Sequence, residues 1–184
     1  MTPQIEFVFG RQTPEVNQSL TDFWATHLQS FQQEIISFRS SAQRKSNVCR
    51  QPRLTVNRQI NRRPAAISRD KNGAINGLVF VVLKELDSSL DLGSHAYFQR
   101  IYIPRQFRNF RLANQLFICF LDGFDQAIKE RDHRAKILLS ENVNPKLQNI
   151  AERRYFSRAG FKMLGGNELG GEIWIRPLKT AFCF

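Results

Sequence analysis

The stretch that most limits how this chain can fold is 97–121, YFQRIYIPRQFRNFRLANQLFICFL. A strand-like run over 97–103 meets Pro104, and a basic, polar turn from Arg105 to Arg111 follows. An apolar helical pattern begins directly after it, with Leu112, Leu116, Phe120, Phe124 and Ile128 on one face. Strand, cationic turn and helix start together make an anion-binding arrangement, because the first-turn amides of a helix lack intrahelical acceptors and point outward. Arginine side chains add full charges to that partial one. The first expectation is therefore a ligand that carries a pyrophosphate.

The flanking pattern sets the architecture. Residues 5–9 read as a short strand, and Thr13-Pro14-Glu15 signals a helix start. Leu20, Phe23, Trp24, Leu28, Phe31, Ile35 and Phe38 recur at helical spacing, which predicts one or two amphipathic helices over 15–39. Strands at 65–69 and 75–86 flank the hairpin signal Asp70-Lys71-Asn72-Gly73. A further strand covers 95–103, and KILLS at 136–140 is a short buried one. Asn144-Pro145 starts a last helix that stops near Ala159-Gly160, and strands at 161–164 and 172–176 close the chain. Gly123, inside the second amphipathic helix, costs about 1 kcal/mol relative to Ala, which implies a packing reason. The order implies an α/β (α+β) class: a twisted, mixed, mostly antiparallel sheet flanked by helices, in one domain over 1–184.

Composition narrows the setting. Hydrophobic content of 42% and charged content of 23% are those of a globular domain with a real core. No apolar run is long enough to cross a bilayer, and the first ten residues lack a signal-peptide layout. Cys49, Cys119 and Cys183 have no metal-like spacing, so a reducing, cytoplasmic setting without a metal is expected. The net charge of +11 is unevenly placed: 39–69 holds nine Lys or Arg and no Asp or Glu. Such a block implies a partner of opposite sign, with nucleic acid, an acidic carrier protein, an acidic peptide and a membrane surface all eligible. The plain alternative is a solvated loop. The block has no aromatic residue for base stacking and no zinc or helix-turn-helix signature, which argues against nucleic acid.

Three local patterns carry a family resemblance. AAISRDKNGAINGLVFVVL resembles a second and third strand around a hairpin, with Gly77 at a familiar position. IYIPRQFRNFRLANQL resembles an acetyl-CoA motif of hydrophobic strand, Pro, aromatic and Arg/Gln-x-x-Gly-x-Gly/Ala. NPKLQNIAERRYFSRAGFKML resembles a late helix that ends in Tyr-x-Lys-x-Gly-Phe. In this order they resemble the GNAT superfamily of acyl-CoA-dependent N-acyltransferases over roughly 65–176, while the N-terminal third fits loosely. The resemblance implies transfer of an acyl group from acetyl-CoA or a longer acyl-CoA to an amine. The thioester would lie between the fourth and fifth strands, near 98–103 and 138–142. Donor contacts would come from Ile101, Tyr102 and Ile103, from Arg108, Asn109, Phe110, Arg111, Leu112, Ala113 and Asn114, and from Asn149 and Phe156.

Two positions depart from the family pattern. Arg111 stands where a Gly usually lets phosphate approach backbone amides, and it either narrows the turn or contacts phosphate itself. Phe156 stands where a Tyr commonly serves as general acid; Tyr155, one place earlier and about 100° around the helix, is the candidate catalytic acid if a small register change brings it in, and otherwise the acid is dispensable or Tyr155 is core packing.

Acyl transfer to an amine also needs a general base, for which Glu141, His95 and Glu85 are candidates; each is more simply read as a solvated strand-end residue. Asn142 and Asn144 are eligible to orient donor or acceptor, and Asn144 is more simply a helix cap. Sixteen Phe, with Phe117, Phe120 and Phe124 clustered, line either a tunnel for a fatty acyl chain or an ordinary core. With a long donor, the basic block would dock an acyl carrier protein or an acidic segment of a peptide acceptor. Two other readings stay open: an inactive GNAT-like interaction module and a nucleic-acid binder. Oligomeric state is left open.

Overall fold

The structure, a computed structural model, describes residues 3–43, 62–87, 91–166 and 171–179. Seven strands form one sheet in the order β1-β2-β3-β4-β5-β7-β6. They are β1 (Gln4–Phe7), β2 (Arg63–Arg69), β3 (Ile75–Glu85), β4 (His95–Tyr102), β5 (Ala135–Asn142), β6 (Lys162–Gly166) and β7 (Glu172–Pro177). Every neighbouring pair is antiparallel except β4 and β5. Those two run parallel because the chain returns between them through a helix, α2 (Phe110–Gln126), the crossover that parallel strands require.

β3 explains why the sheet has a helix on each face. Its side chains alternate: Val79 and Val81 join a core built on α2, while Leu78 and Phe80 join a second core on the other side. That second core rests on α1 (Pro14–Gln43), through Val16, Leu20, Phe23 and Phe31. The expected cap is present, with the Val16 amide donating to Thr13 Oγ1 at 3.3 Å. Between β2 and β3, Asp70 Oδ1 accepts from the amides of Asn72 and Ala74, and Gly73 takes the positive φ of the turn.

α2 lays Leu112, Leu116, Phe117, Phe120, Leu121 and Phe124 on the sheet against Phe9, Val79, Val81 and Tyr97. The reason for Gly123 is here: a Cβ at that position would meet the ring of Phe7 in β1 at 2.3 Å. Ile128 lies beyond the helix, which stops when Ala127 turns to ψ 46°. The last helix also starts later than expected. Asn144-Pro145 opens a single 3-10 turn, Pro145–Leu147, and α3 (Ile150–Arg158) begins after Asn149. Asn149 Oδ1 takes two helix amides, those of Ala151 and Glu152, whereas Asn144 takes only that of Lys146.

Most of the basic segment, 44–61, lies outside the described residues, as do Cys49 and Cys183. Its members whose side chains are described have partners within the fold. Arg62 lies over Trp24, Phe31 and Phe80, Arg63 over Phe9, and Arg69 pairs with Glu6 at 2.8 Å. Among the described residues, no helix is long and apolar enough to cross a membrane.

Candidate functional site

β4 and β5 pair from His95 opposite Ala135 to Gln99 opposite Ser140, and no further. β4 runs on to Tyr102 while keeping β3 as its partner, and β5 runs on to Asn142 while keeping β7. The two strands therefore part at Gln99 and Ser140. Along their facing edges, alternate backbone N–H and C=O groups pair with no strand. Ile101 packs with the α2-side core and Tyr102 with the α1-side core, so the gap has a face on each side of the sheet.

Two side-chain pairs span it. On the α1 side, Arg100 and Glu141 form an ion pair at 2.8 Å, both side chains less than one-fifth exposed. On the α2 side, Gln99 Nε2 donates to Ser140 Oγ at 2.7 Å. Of the three candidate bases, only Glu141 stands at the gap. His95 and Glu85 face each other at the other end of the β3–β4 pair, and His95 is roughly 16 Å from Arg100 along a strand that rises about 3.3 Å per residue. His95 Nδ1 contacts Ser94 Oγ at 3.0 Å instead.

The turn from β4 to α2 borders the gap. Pro104 leads into one 3-10 turn, Arg105–Phe107, and Asn109 caps α2 by accepting from the Leu112 amide at 2.8 Å. Ahead of it, the amides of Phe110 and Arg111 have no intrahelical acceptor and point out of the helix start. Arg111 is exposed in the first turn, and Asp91 is the sole non-glycine residue with positive φ among those described. Arginine at the family's glycine position therefore costs no backbone strain.

Arg108 behaves differently. Its guanidinium makes two hydrogen bonds to the buried Glu34 of α1, at 2.7 and 2.5 Å, and a third to the Ile103 carbonyl at 2.7 Å. The hydrogen bonds to Glu34 raise its pKa further. Its charge fastens the turn to α1. On the hairpin side of the turn lies an open cleft of about 750 Å³, lined among others by Arg69, Lys71, Arg111 and Gln115. It faces β1–β3 rather than the gap.

Tyr155 of α3 donates to Asn114 Oδ1 of α2 at 2.6 Å and leans on Phe110 and Phe117. Burial, with the Glu152 charge, pushes its phenol above the usual value, which keeps the proton on the donor. Phe156 turns inward against Phe117, Phe161 and Trp174. Phe117, Phe120 and Phe124 lie in series with ring centroids 5.2–6.4 Å apart and are buried in the core under α2. Asn142 holds the next loop, donating to the Leu147 carbonyl and accepting from Gln148 Nε2. Asn149 is used as the α3 cap.

Sequence reasoning missed Arg100, Gln99, Ser140 and Glu34. The first two had a signal: QR interrupts an otherwise apolar strand, YFQRIYI. Glu34 had one too, since it follows Phe31 by three on the apolar stripe of its helix.

Solved structures similar to this chain include a GNAT superfamily phosphinothricin acetyltransferase from Sinorhizobium meliloti, solved in complex with acetyl-CoA. It matches with a TM-score of 0.51 and 12% identity, over 97% of this chain and 89% of that one. A GNAT family acetyltransferase from Listeria monocytogenes matches with a TM-score of 0.49 and 15% identity, over 96% of this chain and 95% of that one. No family model and no curated protein matches the sequence. The mixed sheet, with seven strands and three α-helices among the described residues, has the GNAT fold, as the sequence patterns implied.

Proposed function

We propose that this chain is an N-acyltransferase that moves an acetyl group from CoA to an amine. The observation that carries the reading is the parting of β4 and β5 beyond Gln99 and Ser140, directly beside the outward amides of the α2 start. A thioester arm fits along such open strand edges, and its diphosphate fits the helix start. Phe110 and Arg111 supply backbone amides, and Arg111 adds a charged donor. The tie from Arg108 to Glu34 holds the turn in place for this.

The amine approaches from the α1 side, where Arg100 holds the Glu141 carboxylate at the gap. Glu141 takes the proton of the attacking ammonium, directly or through one water. The free amine forms the new C–N bond and the C–S bond breaks; the acylated nitrogen gives up its second proton, and the departing thiolate takes it up to leave as the CoA thiol. A strand amide on the open β4 edge, near Ile101 and Tyr102, stabilises the oxyanion that develops in between. Holding both reactants in one gap supplies much of the acceleration. Close packing of Phe117, Phe120 and Phe124 favours a short acyl group over a fatty one. The charge of 39–69 supports an acidic peptide or protein as acceptor.

Calorimetry with CoA and a thiol-release assay with acetyl-CoA over a panel of amines test this reading. Glu141→Gln is expected to bind CoA as the unaltered chain does and to lower kcat at least 100-fold, the usual scale of a lost general base. Failure to bind CoA, or undiminished turnover in the variant, rejects it.

A further inference from the structure

Gln99 and Ser140 are among the few buried polar side chains of the sheet, at 4% and 5% exposure, and they are the last matched residues before β4 and β5 separate. Gln99 Nε2 is satisfied by Ser140 Oγ at 2.7 Å, but Gln99 Oε1 is buried and accepts no hydrogen bond. A buried carbonyl oxygen left without a donor is costly, so native folds rarely keep one without a use. With Tyr97 and Ile101, Gln99 lies on the α2 face of β4, the side of the anion-binding helix start, and not on the side of Arg100 and Glu141.

Resting on the donor-site reading above, we infer that Gln99 is a positioning residue for the thioester donor. Its side-chain oxygen accepts from an amide N–H of the donor's arm as that arm enters the gap. The ligand chemistry is a secondary amide close to the thioester. Turning the Gln99 amide end for end leaves the same requirement: Ser140 then donates, and the buried, unpartnered half of the amide, now its NH2, donates to the arm's carbonyl. Ser140 fixes the Gln99 rotamer, and the open strand edges carry the rest of the arm. The pair thus measures the donor from its diphosphate to its reactive end.

The test compares the full chain with Gln99→Met/Ser140→Ala, which removes both polar groups at nearly constant volume, and with Gln99→Asn, which withdraws the amide by one methylene. Each is titrated calorimetrically with CoA and with adenosine 3′,5′-bisphosphate, which has no arm. Both variants are expected to bind CoA about tenfold more weakly and the bisphosphate unchanged. The ligand-free double variant is expected to melt no lower than the original, because it has lost an unpaired buried acceptor. A merely structural pair would do the reverse, lowering the melting midpoint and sparing CoA. Unchanged CoA affinity, or equal losses for both ligands, overturns the inference while leaving the donor site standing. If the unaltered chain fails to bind CoA, the donor-site reading falls and the inference falls with it.

Discussion

Gly123 lies in α2 directly above Phe7 of β1, where an added Cβ meets ring carbons at 2.3 Å. Alanine would contribute about 1 kcal/mol of helix propensity there. Overlap with a ring wedged between helix and sheet costs about 1–3 kcal/mol, so the clash wins. Gly123→Ala is expected to destabilise the fold by about 1–2 kcal/mol, read as a lower urea midpoint with an unchanged slope; a stabilised variant would show that Phe7 moves freely. The cost of this glycine was visible in the sequence, but the ring that explains it was not, because β1 is distant in the chain. Arg111 and Phe156 teach the same point from the other side. Each breaks the family pattern at one position, and the surroundings absorb it: Arg111 projects from a helix start without strain, and Phe156 fills the core beside Trp174.

Between elements, ion pairs do much of the fastening, and their titration can be observed. Asp125 near the end of α2 accepts two hydrogen bonds from Arg176 of β7, at 2.8 and 2.7 Å, with Lys179 at 3.3 Å. Burial pushes its carboxyl up, but Arg176 and Lys179 outweigh that and hold it below its ordinary value of 3.8. The folded state thus prefers the ionised form. The stabilisation is fully present above the unfolded value and disappears as pH falls through the folded one. Asp125→Asn is expected to be about 2 kcal/mol less stable than the original at pH 7, with the two urea curves converging below pH 3.8. Parallel loss at every pH would show that shape, not charge, makes the contact. At this scale, long periodic segments were legible and ends were not. α1 and α2 followed from apolar spacing, but the start of α3 was misplaced because Asn144 and Asn149 are equally good caps in sequence. Only the path of the chain gives one of them a full helix to cap.

For the whole molecule, charge and topology separate. The charge of +11 is carried almost entirely by 39–69, and three of its arginines, Arg62, Arg63 and Arg69, are occupied within the fold. If the remainder attracts an acidic acceptor, screening must weaken the attraction once the Debye length falls below about 10 Å. Raising salt from about 50 to 300 mM is expected to raise KM for an acidic peptide several-fold with kcat unchanged, and to leave a neutral amine unaffected. Equal salt response for both acceptors would remove the acidic-acceptor reading. Across the molecule, the sequence alone determined the elements, the apolar faces, the basic turn ahead of α2 and Glu141 as one of three candidate bases, because those depend on local spacing and residue chemistry. Which base reaches the gap, what Arg108 grips and why Gln99 is buried were decided only by tertiary structure. Glu34 with Arg108, Gln99 with Ser140 and Arg100 with Glu141 are separated by 74, 41 and 41 residues. No local pattern encodes a contact of that span; it exists once the sheet sets strand register and the helices close over it.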